Sequence, residues 1–157
     1  HRRPDEGGLA LAEVAMREMQ PDARILDMGC GCGLTGLLLA HHDPSAQLLA
    51  VDSHARAVYC TDQNAAANNL KHVNTRLSDT GVEENGFSLF VGNPPYYSDY
   101  QIAELFIRTA YDALAPGGIA CVVAKNHRWH ESFMQSCFGN ATTVSRRGYG
   151  VVKSVRS

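Results

Sequence analysis

Apolar and polar positions along this chain follow two periods that take turns. Residues 9–16 (Leu9-Ala10-Leu11-Ala12-Glu13-Val14-Ala15-Met16) carry helical apolar spacing, and Pro21 and Asp22 close that helix. Short, nearly unbroken apolar runs at 25–26, 48–51, 73–77, 87–91 and 119–124 read as strands. Between them the pattern predicts helices over about 34–41, 55–69 and 102–114, the last ended by Pro116-Gly117-Gly118. A short helix is expected over 130–137, ended by Gly139. Residues 142–146 and 151–155 then form a hairpin-like pair around Gly148-Tyr149-Gly150.

Strands alternating with helices predict an α/β, doubly wound, mostly parallel seven-stranded sheet covered on both faces. The closing hairpin adds one antiparallel strand near the C-terminus. Ligands of such sheets sit beyond the carboxyl ends of the strands. Asp27, Asp52, Asp79 and Asn93 all fall at such ends. The 157 residues make one domain, 1–157. The chain opens on His1 rather than Met, so it reads as a piece of a longer protein, such as its C-terminal part.

Asn93-Pro94-Pro95-Tyr96, directly after the 87–91 run, carries the most chemistry. Proline fixes its own φ and pushes the residue before it toward extended geometry. Asn93 and Pro94 are thus held stiff, and their side-chain and backbone oxygens can converge on one spot. Two acceptors suit an amino group with two N–H donors. Tyr96 offers a flat face beside them. Upstream, Asp27-Met28-Gly29-Cys30-Gly31-Cys32-Gly33 reads as strand end, glycine turn and helix start. Such a turn lets a ligand approach the backbone next to a positive helix terminus. Asp52 ends the next apolar run, where an acid commonly bonds a ribose hydroxyl pair. These features describe a nucleoside-containing cofactor lying across the strand ends.

The chain resembles class I S-adenosylmethionine-dependent methyltransferases. Its Asp27 to Gly33 segment is similar to their acidic-x-Gly-x-Gly-x-Gly motif, and Asn93-Pro94-Pro95-Tyr96 to the signature of members that methylate an NH2 on a planar system. The layout looks most like the catalytic domain of ribosomal RNA small-subunit guanine-N2 methyltransferases, including Leu114-Ala115-Pro116-Gly117-Gly118 before a strand. Asp5-Glu6-Gly7-Gly8 resembles a family segment near the cofactor, with Gly8 standing where the family has a hydroxyl residue. The resemblance implies S-adenosylmethionine as cofactor. Asp27 would hold its ammonium, Gly29, Gly31 and Gly33 its approach, Asp52 its ribose and Asp79 its adenine amino group. Asn93, Pro94 and Tyr96 become the catalytic candidates. Pro95, Tyr97 and Trp129 become substrate-binding candidates. Ribosomal RNA or the small ribosomal subunit becomes the partner.

Tyr96 stands where the rRNA subgroup carries Phe, so adenine N6 and a protein glutamine amide remain alternative targets. Gly31-x-Gly33-x-x-Gly36 is also formally a dinucleotide fingerprint, which keeps a nucleotide-dependent oxidoreductase open. A further alternative is an RNA-binding module without catalysis. Asp27 weighs against a pyrophosphate cofactor because it would repel phosphate.

Composition adds bounds. No apolar run reaches the about 20 residues of a membrane helix, and no secretory pattern opens the chain. The cysteines number five, with Cys30 and Cys32 in the glycine turn, which fits a reducing cytoplasm. Cys30-x-Cys32 lacks the second pair that zinc needs, and His127 and His130 read as exposed polar residues, so no metal is expected. Net charge is −2, but Lys125, Arg128, Arg146, Arg147, Lys153 and Arg156 give the C-terminal stretch a basic bias. Those cations either meet phosphates or stand in solvent.

Overall fold

The computed structural model describes residues 5–97 and 99–157. Its strands are β1 (Arg24–Met28), β2 (Gln47–Asp52), β3 (Val73–Leu77), β4 (Phe87–Gly92), β5 (Leu114–Ala124), β6 (Thr142–Arg146) and β7 (Tyr149–Val155). The helices are α1 (Glu6–Met16), α2 (Leu34–His42), α3 (Ala55–Ala67), α4 (Gln101–Ala113) and α5 (Arg128–Phe138). All strands join one sheet in the order β3-β2-β1-β4-β5-β7-β6. Pairing is parallel from β3 through β5, and β7 runs antiparallel to both of its neighbours. The expected doubly wound, seven-stranded architecture with one antiparallel strand is the observed one.

Both sheet faces are buried because neighbouring residues on each strand enter different cores. Ile25, Leu48, Leu89, Cys121 and Val151 pack with α1, α2 and α3 residues such as Leu11, Leu39 and Ala65. Their successors Leu26, Leu49, Phe90, Val122 and Val152 pack with Ile107, Ala110 and Met134 of α4 and α5. This is the period of two expected of strands covered on both faces.

Two boundaries differ from the sequence reading. Helix α1 starts at Glu6, three residues earlier than its apolar spacing shows, because Asp5 caps it: the Asp5 side chain accepts from Gly8 N at 3.0 Å. It also stops at Met16, before Pro21. Pro116-Gly117-Gly118 does not precede β5 but lies inside it. Leu114 already pairs with Phe87, and the register shifts between Phe87 and Leu89. Proline cannot donate to the ladder, so the strand bulges there, and Gly117 N bonds Arg156 O at 2.6 Å instead.

The chain leaves β3 at one edge and re-enters the sheet beside β1, so strand order reverses between β1 and β4. A crevice opens outside the carboxyl ends at such a reversal.

Candidate active site

That crevice is a cleft of about 1100 Å³. Met28, Gly29, Asp52, Ser78 and Asp79 line it from the β1–β3 side. Asn93, Pro94, Pro95, Tyr96 and Tyr97 line it from the end of β4. The two motifs read from sequence therefore face one opening.

The glycine turn is shaped by close packing. Gly29 has φ 72°, and a Cβ there would stand 2.7 Å from the Phe106 ring, so its backbone stays bare toward the cleft. Gly29 N and Cys30 N donate to Val51 O at 2.7 and 3.0 Å. Thr61 of α3 donates to Gly31 O at 2.9 Å, and Asn64 Nδ2 to Cys32 O at 2.8 Å. Gly33 is the N-cap of α2 and has no side chain to cap it. Asp27 supplies the missing acceptor from β1: its Oδ2 takes the Gly36 N–H at 3.0 Å. Asp27 is 3% exposed and lies beneath the turn rather than on the cleft wall. Burial pushes its pKa up to about 7; the Asp52 charge adds to the rise and the Gly36 N–H opposes it.

Asp52 joins two elements. Its Oδ2 accepts from Gly31 N at 2.9 Å and its Oδ1 from His54 N at 3.0 Å, at the start of α3. Two of about four lone-pair sites on a carboxylate are thus used, and Asp52 also lines the cleft. The β3 end is tied in by Ser78 N, which donates to Asp52 O at 2.9 Å. Asp79, next along, is exposed at the cleft.

On the other side Pro94 is buried and anchors the corner, while Asn93 is exposed. The Asn93 amide nitrogen lies 3.4 Å from Asp5 Oδ2. Tyr96 is 91% exposed and Tyr97 62% exposed, rings edge to face at 6.5 Å. Large apolar faces standing in water at a cleft mouth invite a planar partner.

Several sequence expectations end elsewhere. Trp129 does not line the cleft: its ring stacks on Tyr100 (4.6 Å) and on Phe133 (5.0 Å). Trp129 braces Tyr100, which does line the cleft. His130 is not an exposed polar residue but 3% exposed, and burial lowers its pKa. The basic bias is mostly cancelled at home. Arg146 and Arg147 pair with Glu13, Arg147 also with Glu6 (2.7 Å), and Lys153 with Glu18 (2.7 Å). Arg156 lies on the Tyr111 ring at 3.8 Å and donates to Tyr111 O. Lys125 and Arg128 form no ion pair among the described residues, and both are exposed. Gly31 and Gly33 shape the turn without lining the cleft.

Sequence reading missed Asn126 and Tyr149, which also line the cleft. The signal was present. An antiparallel β7 begins on the edge where the parallel strands end, so its first residue, Tyr149, had to arrive there. The five cysteines are free thiols, and no group of three or more metal-ligating side chains occurs among the described residues. No helix among them is long and apolar enough to cross a membrane.

A sheet of this order with a cleft at its strand reversal defines a class I S-adenosylmethionine-dependent methyltransferase fold. Solved structures agree. The 16S rRNA N2-guanine methyltransferase of T. thermophilus (RsmC), in complex with AdoMet and guanosine, matches with a TM-score of 0.85 and 26% identity over 99% of this chain and 44% of that one. TrmN from Thermus thermophilus shares the fold at a TM-score of 0.76 and 20% identity, over 96% of this chain and 48% of that one. The chain belongs to the methyltransferase small domain family, whose profile matches residues 1–153. Its relatives include the ribosomal RNA small subunit methyltransferase C of Marinomonas sp. (strain MWYL1), 33% identical over 96% of this chain and 46% of that protein. The same enzyme of Pseudoalteromonas translucida (strain TAC 125) is 32% identical over 98% and 46%. This chain therefore spans a little under half the length of these relatives.

Proposed function

We propose that the chain transfers a methyl group from S-adenosylmethionine to an exocyclic amino nitrogen, guanine N2 of small-subunit ribosomal RNA. One observation carries this: the Asn93-Pro94-Pro95-Tyr96 corner and the Gly29, Asp52 and Asp79 wall share one cleft. Its size suits a nucleoside cofactor with a planar target beside it.

The β1–β3 wall fits the cofactor. Asp52 keeps unused acceptor sites for a ribose, Asp79 is an exposed acceptor for an adenine amino group, and Met28, Ile102 and Phe106 add apolar surface. Gly29 leaves the backbone approachable, while Gly31, Gly33 and Asp27 hold the turn in shape. When bound, the cofactor supplies an electrophilic methyl group on a sulfonium. Asn93 Oδ1 and the Pro94 carbonyl would accept both hydrogens of the substrate amine. That turns the nitrogen lone pair out of conjugation. The same oxygens stabilise positive charge as it develops on nitrogen, without reorganising. Tyr96, with Pro95 and Tyr97 beside it, would stack on the target base, which offsets about 1–3 kcal/mol of the cost of unstacking it. Lys125 and Arg128, exposed and without ion-pair partners among the described residues, would meet backbone phosphates.

Relatives named for ribosomal RNA, and a structural relative bound to AdoMet and guanosine, favour guanine N2 over adenine N6 or a glutamine amide. They lend nothing to an oxidoreductase. A ribosomal target also accords with a cytoplasmic location and five reduced thiols. The test is transfer of tritium from labelled donor to deproteinised rRNA, assembled small subunits and a release factor. Label recovered in methylated guanosine is expected. Label in adenosine or in the factor alone overturns the assignment.

A further inference from the structure

We propose that Asp5 is a positioning residue that fixes which end of the Asn93 amide faces the cleft. The activity arm of this inference rests on the function proposed above. The two ends of an asparagine amide have nearly the same shape and opposite hydrogen-bonding sense. The corner works only with Oδ1 toward the substrate amine. Pro94 and Pro95 stiffen the backbone, but the terminal torsion of an asparagine is broad and they do not set it. A second group must choose the rotamer.

Asp5 stands where that group is needed. Its Oδ2 lies 3.4 Å from Asn93 Nδ2, across 88 residues of sequence. An ionised carboxylate only accepts, so it attracts the NH2 end and repels Oδ1. Asp5 is itself held, since its Oδ1 takes the Gly8 N–H as the N-cap of α1. The first turn of α1 is held in turn by Thr35 of α2, which donates to Gly8 O at 3.0 Å. Gly7 and Gly8 leave room for the pair. A Cβ on Gly8 would stand 2.8 Å from Asp5 Oδ2, and one on Gly7 would stand 3.2 Å from the Tyr149 ring and 3.4 Å from Asn93 Nδ2. Through Asp5 the orientation of the catalytic amide is tied to the helix that starts at the glycine turn.

The test uses the whole chain with Asp5→Asn, Asn93→Asp and the double variant. Asparagine caps helices as well as aspartate does, so Asp5→Asn keeps α1. The Asn93 side-chain NH2 signals, assigned by their loss in Asn93→Asp, are followed by 15N NMR. Turnover is followed on rRNA, and S-adenosylhomocysteine affinity by calorimetry. Asp5→Asn is expected to shift the Asn93 signals and to lower kcat about tenfold, with cofactor affinity unchanged. Asn93→Asp sets two carboxylates face to face and loses more. The double variant exchanges the two groups: the amide at position 5 donates, and the carboxylate at position 93 keeps one oxygen toward the substrate. It is expected to recover about tenfold over Asn93→Asp. Asn93 signals unmoved by Asp5→Asn overturn the inference whatever the activities. So does a double variant no faster than Asn93→Asp with wild-type melting and cofactor binding. A wild type that methylates no rRNA, with signals that do respond to Asp5→Asn, overturns the proposed function and leaves the pairing standing.

Discussion

Asp27 and Asp52, on the β1–β3 side of the cleft, aim their carboxylate oxygens at backbone N–H groups of Gly36, Gly31 and His54. Across the cleft, Tyr96 stands 91% exposed and the Asn93 amide has one long contact. The first side is set during folding, so a ligand arriving there has little left to order. The second keeps apolar surface wet until something planar covers it. Under the proposed function, the contrast would put affinity for the cofactor on one wall and the chemical step on the other.

Asn93→Ala is the sharpest way to break that division. It removes a prepositioned acceptor from the open side alone, so turnover should fall about a thousandfold, the scale of losing one such group elsewhere. S-adenosylhomocysteine should still bind with wild-type affinity by calorimetry. Near-normal turnover would reject the corner as the site of chemistry, and lost cofactor binding would erase the distinction between walls.

Asp52→Ala probes the other wall. The variant loses the acceptor for Gly31 N and His54 N together with the lone pairs those bonds leave unused. Affinity for S-adenosylhomocysteine should drop about 30- to 100-fold, as for a lost hydrogen bond to a charged group. Turnover at saturating cofactor should fall much less. Unchanged affinity would mean that Asp52 serves the fold and no ligand.

The two walls also differ in how far they could be read in the sequence. Asp27, the glycine turn and Asp52 sit within 26 residues, and strand-end acids beside a tight turn declare themselves by local pattern. The strands were legible for the same reason: each buries alternate residues on two faces and so appears as a short apolar run. What was hidden depends on partners far along the chain. Trp129 is taken up by stacking on Tyr100 because α5 packs on α4, which brings Tyr100 to it. Arg146 meets Glu13 of α1 and Lys153 meets Glu18 just beyond that helix, 133 and 135 residues away, so a stretch that reads as basic is largely paired. His130 is polar by type and buried by the same packing. The Pro116 bulge was misread because proline and glycine argue for a break, and only the neighbouring β7 end, through Arg156, shows how the strand continues.

Asp27 offers the smallest effect and the finest test of how complete the β1–β3 wall is before any ligand binds. An unfolded aspartate titrates near pH 4, whereas burial under α2 pushes Asp27 up to about 7. Between those values the native state holds a proton that the unfolded chain releases. The stability contributed by the group is therefore full below about pH 4 and is lost as pH rises through 7. Asp27→Asn keeps an oxygen for the Gly36 N–H and removes the titration. In urea unfolding the wild type should lose stability relative to the variant across this window, the other titrating groups being common to both proteins. By pH 8 the variant should be the more stable by about 1–2 kcal/mol, part of the linkage being offset by its weaker bond to Gly36. A difference between the two proteins that is the same at pH 5 and pH 8 would mean that Asp27 is already charged when folded. The turn would then rest on a full carboxylate, and the wall would carry a fixed negative charge beneath the cofactor rather than one the proton can neutralise.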